Sequence, residues 1–198
     1  MKLGILGGTF DPIHAGHLAA ARAAMECERL DRVMFIPSGD PPHRDPAVAS
    51  AADRLEMCRL ATAGEDRFEV SDIEVRRGGK SYTVDTLRAL KGSHPNDGLW
   101  LILGWDAAQL FRTWHEPAEI RKLASVIVVT RPGTPPLTGP GLEAAGLGHS
   151  DAVCERHTPD VSASELRDAI AGDKPVGEWL PEPVARYIAE HRLYRDNR

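Results

Sequence analysis

The chain has 198 residues, of which 42% are hydrophobic, 27% are charged and 6% are aromatic, and this composition predicts one globular domain. A net charge of −5 at pH 7 argues against bulk electrostatic binding to nucleic acid or to an anionic membrane. No apolar run reaches the length of a transmembrane helix, and no signal-type apolar segment follows Lys2, so we expect a cytoplasmic protein.

The first predicted element is a short buried strand over residues 2–6, which runs into the pair Gly7-Gly8. Because glycine has no Cβ, the pair allows a tight turn whose backbone lies directly against a ligand. Asp11-Pro12 disfavours helix at Asp11, and an apolar helical pattern begins only after His14. The sequence therefore predicts a strand, a glycine turn and a helix.

Two histidines lie in the first turn of that helix, where free N–H groups and the positive end of the dipole favour an anion such as phosphate. His14 and His17 are three residues apart and can point to one side, and Gly16 between them leaves room for close approach. Two capped, solvated side chains beside a turn that binds no nucleotide are the alternative. The sequence has no G-x-G-x-x-G, no G-x-x-x-x-G-K-[ST] and no H-E-x-x-H motif.

Residues 7–17 read GGTFDPIHAGH, which resembles the signature of the nucleotidylyltransferase superfamily, where [HT]-x-G-H follows a glycine-turned first strand. The form GGTFDPIH most resembles nicotinate-nucleotide adenylyltransferases. The resemblance implies that His17 contacts the α-phosphate of ATP during transfer. It also implies that the ATP phosphates are bound by Gly7, Gly8, Thr9, Phe10 and His14.

A second strand is predicted over residues 32–37, which completes a βαβ unit and predicts a parallel sheet. Ligands of such sheets bind outside the carboxyl ends of the strands, where the loops 7–14 and 38–50 should lie. The second loop contains Pro41-Pro42-His43-Arg44, which resembles the Pro-Pro-His-Lys element of the same family. The resemblance implies that Arg44, in place of the usual lysine, binds phosphate of both ATP and nicotinate mononucleotide. A rigid solvated connection is the alternative.

The next predicted elements are a helix over residues 51–63, a strand over 68–75 and a helix entered from a glycine-bearing loop. Ser81 or Thr83 is expected to cap this last helix. The run Ser-Tyr-Thr-x-Asp-Thr-Leu resembles the family segment whose threonine, here Thr83, contacts nicotinate mononucleotide. Capping alone would also account for these residues.

A buried strand over residues 98–103 is followed by Gly104-x-Asp106 and then by Trp114. This spacing resembles the family element that binds the mononucleotide, which implies contacts from Asp106 and a stack of Trp114 on the nicotinate ring. Such an offset stack is worth about 1 kcal/mol beyond the area it buries. A packing role for Trp114 is the alternative, and Trp105 departs from the small residue expected at its position.

The C-terminal part is predicted to contain strands over residues 124–130 and 152–156, separated by a mobile Gly- and Pro-rich surface excursion over 131–148. An amphipathic helix over 181–192 is expected to pack on the rest. We assign residues 160–198 to a C-terminal helical part of the domain.

A helix after Ser162 opens with a capping box completed by Glu165. Its free N–H groups, its hydroxyls and Arg167 would form a second phosphate-binding site, although capping alone also explains the pattern. The run resembles the superfamily element Ile-Ser-Ser-[ST]-x-x-Arg, which implies that Ser162, Ser164 and Arg167 bind the β- and γ-phosphates of ATP. Ala163 replaces one hydroxyl residue of that element.

The sequence indicates no metal site formed by the protein itself. Cys27, Cys58 and Cys154 are widely spaced and odd in number, so we predict reduced thiols and neither a zinc site nor a disulfide framework. Mg²⁺ is expected to accompany ATP and to bridge phosphate oxygens, since no carboxylate cage is visible.

The motifs resemble one family in the expected order from residue 4 to residue 167. We therefore predict an α/β, Rossmann-like, doubly wound parallel sheet, with residues 1–198 forming a single nucleotidyltransferase domain. The resemblance implies transfer of AMP from ATP to nicotinate mononucleotide, with His14, His17 and Arg167 as catalytic residues. A relative specific for nicotinamide mononucleotide or pantetheine phosphate, and a non-catalytic nucleotide-binding module, are the alternatives. The sequence allows a homo-oligomer, and it decides neither the oligomeric state nor the acid-versus-amide preference.

Overall fold

The structure, a computed structural model, describes residues 1–41, 46–130, 139–148, 151–155 and 158–195. In these ranges the apolar runs form one sheet of six parallel strands. The strands are β1 (Lys2–Gly8), β2 (Arg32–Pro37), β3 (Phe68–Val70), β4 (Gly98–Gly104), β5 (Ser125–Val129) and β6 (Ala152–Cys154). Their order in space is β3-β2-β1-β4-β5-β6, which is the doubly wound Rossmann order, so the predicted fold class is confirmed.

Helices connect successive strands and cover both faces of the sheet. They are α1 (Ala15–Glu28), α2 (Ala51–Thr62), α3 (Ile73–Arg77), α4 (Thr83–Ser93), α5 (Trp105–Gln109), α6 (Pro117–Leu123), α7 (Gly139–Ala144), α8 (Ala163–Ala171) and α9 (Glu182–Glu190). Two short 3₁₀ turns span Phe111–Thr113 and Gly177–Trp179. Among the described residues, no helix is both long and apolar enough to cross a membrane.

Side chains alternate along the strands between two apolar cores, as the two-residue period of a strand requires. In β1, Leu6 joins the core formed with α1, α2, α8 and α9, whereas Leu3 and Ile5 join the core formed with α4, α5 and α6. Because both faces are buried, the central strands read as continuous apolar runs in the sequence. This sandwich fixes the carboxyl ends of the strands, where the functional loops begin.

The glycine pair lies in the strand rather than in the turn that follows it. Gly7 and Gly8 pair with Ile36 and Pro37 of β2, so β1 is longer than predicted. The turn comes at Phe10, which has a positive φ of 50°. A Cβ at Gly8 would lie 3.0 Å from the Phe10 ring, whereas a Cβ at Gly7 would meet nothing within 4 Å. Gly8 therefore makes room for the folded-back ring, and Gly7 leaves the end of the strand open.

The predicted strand over residues 68–75 is wrong beyond Val70, because a short helix replaces its second half. The Ser71 hydroxyl accepts the N–H of Ile73 at 3.4 Å, and Asp72 forms an ion pair with Arg76 one turn later. These local polar contacts favour a helical turn over continued extension. The alternation of apolar and polar residues therefore predicted a strand where the chain turns into a helix.

The prediction of three reduced thiols is also wrong, because Cys27 and Cys154 form a disulfide. Cys27 lies near the end of α1 and Cys154 ends β6, with Cα atoms 6.1 Å apart and a sequence separation of 127. Such a pairing depends on α1 packing beside the edge strand, which spacing cannot reveal. Cys58 is a buried free thiol, and burial raises its pKa.

The predicted surface excursion over 131–148 contains helix α7 in its described part. Leu142, Ala145 and Leu147 are buried in the core on the α4 side, so this part packs against the domain and the prediction of a surface excursion is wrong for it. Residues 131–138 lie outside the described ranges.

Candidate active site

The candidate site lies where the direction of strand order changes, between β1 and β4. β1 pairs with β2 on one side and with β4 on the other, so the connections leave these strands in opposite directions. In open parallel sheets this arrangement opens a crevice beyond the carboxyl ends of the strands. Residues 9–14 after β1 and the start of α5 after β4 border that crevice.

His14 and His17 lie together at the N-terminus of α1. His14 is the N-cap residue, and its backbone N–H donates to Nδ1 of His17 at 3.2 Å. Since Nδ1 accepts this hydrogen bond, the neutral His17 ring carries its proton on Nε2. The two ring centroids are 3.7 Å apart, and the Phe10 ring contacts the His17 ring edge-on at 4.9 Å. The pair is thus held rigidly by the turn itself.

Helix α8 brings Arg167 to the same turn. One guanidinium N–H of Arg167 donates to the backbone carbonyl of Asp11 at 2.8 Å, across 156 residues of sequence. At Gly16, a Cβ would lie 3.1 Å from the His14 ring and 3.3 Å from Cγ1 of Val161. The segment that enters α8 therefore packs against the first turn of α1, and His14, His17 and Arg167 border one region.

The serines of α8 have different surroundings. Ser162 forms the predicted capping box, because its hydroxyl accepts the N–H of Glu165 at 3.2 Å and its backbone N–H donates to the Glu165 carboxylate at 3.0 Å. Ser164 is exposed in the first turn. The capping prediction is confirmed, whereas a phosphate contact from either serine stays a prediction.

Asp11 fixes the turn after β1 through hydrogen bonds of its side chain, a role that sequence patterns did not indicate. Its buried carboxylate accepts the backbone N–H groups of Val48 and Ala49 at 2.7 and 3.1 Å and the Tyr194 hydroxyl at 2.8 Å. Burial, followed by the charge of Asp11, raises the pKa of Tyr194. Asp11 therefore joins the first loop, the second loop and the C-terminal segment.

A second missed residue is Arg54, which is 1% exposed within α2. Its guanidinium donates to the carbonyls of Thr9, Gly39 and Ala49. The helical pattern over residues 51–63 predicts apolar residues on the core face, so an arginine at position 54 is a departure from that pattern. A buried cation among backbone carbonyls is nevertheless a costly feature, which points to a specific role.

The residues expected to bind the mononucleotide are contributed by α4 and by the segment before α6. Thr83 is the first residue of α4, and the rings of its neighbour Tyr82 and of His115 lie 4.5 Å apart. Arg88 of α4 also forms an ion pair with Glu116 at 2.7 Å. The contact between Tyr82 and His115 therefore joins the residue before Thr83 to the residue after Trp114.

Trp114 itself is half-buried, with its ring 5.6 Å from that of Phe111. Asp106 lies exposed in the first turn of α5, and Trp105 packs partly buried against the adjacent core. Arg44 lies outside the described residues. The structure thus joins the neighbours of Thr83 and Trp114 through the contact between Tyr82 and His115, and it sets Asp106 just after β4.

The predicted caps of α4 are wrong. Tyr82 is the N-cap residue and makes no side-chain capping bond. The Ser81 hydroxyl instead accepts the N–H of Gly39 at 2.9 Å, and the Ser81 N–H donates to the carbonyl of Asp40 at 2.9 Å. Ser81 therefore ties the start of α4 to the loop after β2, a long-range use that competes with local capping.

Comparisons with known proteins show which proteins the chain is similar to. A family model described as "Cytidylyltransferase-like" matches residues 5–169. A relative from Geobacter sp. (strain M21), named "Probable nicotinate-nucleotide adenylyltransferase", is 43% identical over 217 residues and covers 100% of both chains. A relative of the same name from Thermus thermophilus is 43% identical over 197 residues and covers 98% of this chain and 100% of its own.

A solved structure supports the fold independently. The nicotinic acid mononucleotide adenylyltransferase of Plasmodium falciparum, complexed with NaAD, superposes with a TM-score of 0.80 at 18% identity and covers 99% of this chain and 98% of its own. The same protein complexed with APC gives a TM-score of 0.78 with the same coverage. With the motifs in order and the full-length identity of its relatives, the chain belongs to the nicotinate-nucleotide adenylyltransferase family.

Proposed function

We propose that the crevice between β1 and β4 catalyses transfer of AMP from ATP to nicotinate mononucleotide, giving deamido-NAD and pyrophosphate. The activity is that of the family to which the chain belongs. The observation that carries the assignment of the site is the hydrogen bond from Arg167 to the Asp11 carbonyl. This contact joins the two segments that resemble phosphate-binding elements, and it does so at the edge of the sheet where ligands of this fold bind.

The proposed reaction is a direct in-line attack of the mononucleotide phosphate oxygen on the α-phosphorus of ATP. Since an ionised phosphate is already a nucleophile, the reaction requires no general base and no protein nucleophile. The bond from the α-phosphorus to the bridging oxygen breaks, and that oxygen leaves with pyrophosphate. Catalysis then consists of positioning and of stabilising charge on the α-phosphate oxygens and the leaving group.

We assign the Nε2 proton of His17 to an α-phosphate oxygen. The hydrogen bond at Nδ1 supports this role, because it fixes both the tautomer and the ring orientation before substrate arrives. His14 and Arg167 are assigned to the phosphate chain. Gly7, Gly8, Thr9 and Phe10 would offer backbone to ATP, with Ser162, Ser164 and Arg44 as further phosphate ligands.

The nicotinate mononucleotide is proposed to lie between the start of α4 and the segment before α6. There Trp114 would stack on the nicotinate ring, and Thr83, Asp106 and Arg44 would bind its polar groups. The contact between the Tyr82 and His115 rings supports this placement, because it holds these two segments side by side. An aromatic plane at such a place suits a flat pyridine ring.

Magnesium is proposed to enter with ATP. The described residues include no group of three or more His, Cys, Asp or Glu that could hold a metal ion, and the Asp11 carboxylate is already used by three donors. We therefore propose that phosphate oxygens of ATP would be the main ligands of the cation, since Mg²⁺ prefers oxygen ligands. When bound, it would neutralise charge on the phosphates.

A pyrophosphate-release assay with ATP and three acceptors tests the proposal. Nicotinate mononucleotide should support turnover, and phosphopantetheine should not. If nicotinamide mononucleotide is the one acceptor of the three that supports turnover, the assignment moves to the amide substrate. An absence of pyrophosphate release with every acceptor, under conditions where ATP binds, would leave a nucleotide-binding module and would refute the proposed reaction.

A further inference from the structure

Arg54 makes an unusual set of contacts for a residue inside a helix. Its Nη1 donates to the Thr9 carbonyl at 2.7 Å, its Nη2 to the Gly39 carbonyl at 3.1 Å and its Nε to the Ala49 carbonyl at 3.3 Å. All three acceptors are backbone groups of loops or of a loop–helix junction. One buried side chain therefore fixes three separate stretches of main chain.

Two of these stretches carry opposite halves of the proposed reaction. Thr9 belongs to the loop after β1, which contains the turn of His14 and is assigned to ATP. Gly39 belongs to the loop after β2, and its N–H continues the chain of hydrogen bonds to the Ser81 hydroxyl at 2.9 Å. Ser81 stands two residues before Thr83, where the mononucleotide is proposed to bind. Arg54 is thus a hydrogen-bonded link between the two substrate loops.

The chemistry of arginine suits this link better than that of lysine. A planar guanidinium donates in fixed and divergent directions, whereas an ammonium is a point charge on a flexible stem. Burial lowers the pKa of Arg54 and the negative charge of Asp11 raises it, so a nearby carboxylate partly compensates the buried cation. Gly39 is also confined from its other side, because a Cβ there would lie 2.8 Å from the Glu74 carbonyl.

We propose that Arg54 is a positioning residue that sets the separation of the two substrate loops, so that the acceptor phosphate meets the α-phosphorus in line. The inference rests on the proposed adenylyl transfer. Arg54 touches neither substrate in this account and acts through the carbonyls of Thr9 and Gly39. Because rate depends steeply on the alignment of reacting groups, a misplacement of about 1 Å costs roughly 10²-fold.

The test compares Arg54→Lys with Arg59→Lys in the pyrophosphate-release assay with both substrates varied. Arg59 is a matched control on the same helix, since its side chain is exposed and pairs with Glu56 alone among the contacts seen in the described ranges. We expect kcat of Arg54→Lys to fall about 10²-fold while both KM values change only a few-fold. Arg59→Lys should keep the wild-type constants. Thermal melting of each variant reports its folded fraction at the assay temperature.

A second variant, Ser81→Ala, removes the next hydrogen bond along the same link, together with the hydrogen bond between Ser81 and the Glu74 carboxylate, and leaves the buried cation in place. We expect about a fivefold lower kcat, which corresponds to the loss of one ordinary hydrogen bond. Since the two residues act on one link, the double variant should lose about 10²-fold rather than the roughly 500-fold product of independent effects. If Arg54→Lys does not fold, Ser81→Ala alone decides, and a lower kcat with unchanged KM values supports the link.

Two outcomes would overturn the inference. In the first, Arg54→Lys melts at a lower temperature but keeps wild-type kcat where it is folded, which would make Arg54 structural only. In the second, Ser81→Ala has wild-type kcat, or the kcat of the double variant falls by the product of the two single losses. Failure of the proposed reaction is distinguishable from both, because the wild-type protein itself would then release no pyrophosphate.

Discussion

Substitution of His17 separates its chemical role from its role in the fold. His17→Ala removes two groups at once, namely the Nδ1 acceptor for the His14 N–H and the proposed Nε2 donor to the α-phosphate. Of these two groups, His17→Asn removes only the Nε2 donor, because the asparagine amide oxygen reaches about as far as Nδ1 and can still accept the N–H, although the ring contacts of His17 are lost in both variants. Comparison of the two variants therefore separates the capping role of the His17 side chain from its proposed catalytic role.

The magnitudes follow from these two groups. Loss of one donor to a developing oxyanion costs about 10²–10³-fold in kcat, so both variants should show this loss while ATP affinity changes far less. Loss of the N-cap acceptor costs about 1 kcal/mol of stability, which corresponds to a melting-point decrease of about 2–4 °C for a chain of this size. Because both variants lose the ring contacts to Phe10 and His14, His17→Ala should melt below His17→Asn by this amount.

The assay is steady-state pyrophosphate release at saturating ATP and nicotinate mononucleotide, with ATP affinity measured by calorimetry and melting followed by circular dichroism. Wild-type kcat in both variants would refute the assignment of His17 to the α-phosphate. Wild-type kcat in His17→Asn alone would show that the residue acts only by shaping the turn.

Three further predictions concern other parts of the molecule. Trp114→Ala should weaken mononucleotide binding about fivefold in calorimetry and leave ATP binding unchanged, and equal losses for both ligands would make Trp114 structural. Cys27→Ser opens a cross-link with a sequence separation of 127, so without reductant its free energy of unfolding in urea should fall by up to about 5 kcal/mol, whereas in dithiothreitol it should match the wild type. Burial raises the pKa of Glu74 above its ordinary 4.5, so its stabilising contribution is present at lower pH and lost as pH rises through the folded value. The urea midpoint of Glu74→Gln should therefore rise relative to wild type as the pH increases above about 4.5, and a constant difference would contradict this.

Much of the fold could be predicted because it depends on local patterns. The strand over 32–37 needed only an apolar run ended by proline, and the box of Ser162 and Glu165 needed only two residues at a fixed spacing. The strand predicted over 68–75 failed because a few polar side chains near Ser71 outweighed an alternating pattern. Periodicity describes burial, and a short helix and a strand can bury similar residues over one or two turns.

The candidate site divides in the same way. His14, His17 and Arg167 could be proposed from motifs, and the structure places all three around one turn. The disulfide of Cys27 could not be predicted, nor could the pairing of Ser81 with Gly39, because each requires knowing which distant segment packs alongside. An arginine on the core face of a helix, such as Arg54, is the one signal in the sequence that could have been given weight.

The residues that hold the first loop lie far from it in sequence. The carbonyl of Thr9 is bound by Arg54, 45 residues away, and Asp11 is bound by Arg167 and Tyr194, which are 156 and 183 residues away. A phosphate-binding motif fixes which groups face the substrate, but its own short turn cannot fix where that turn lies relative to the acceptor loop. In a reaction that depends on alignment rather than on a protein nucleophile, this separation sets the rate as much as the motif does. Buried polar residues that bind main-chain carbonyls should therefore be as sensitive to substitution as the histidines themselves.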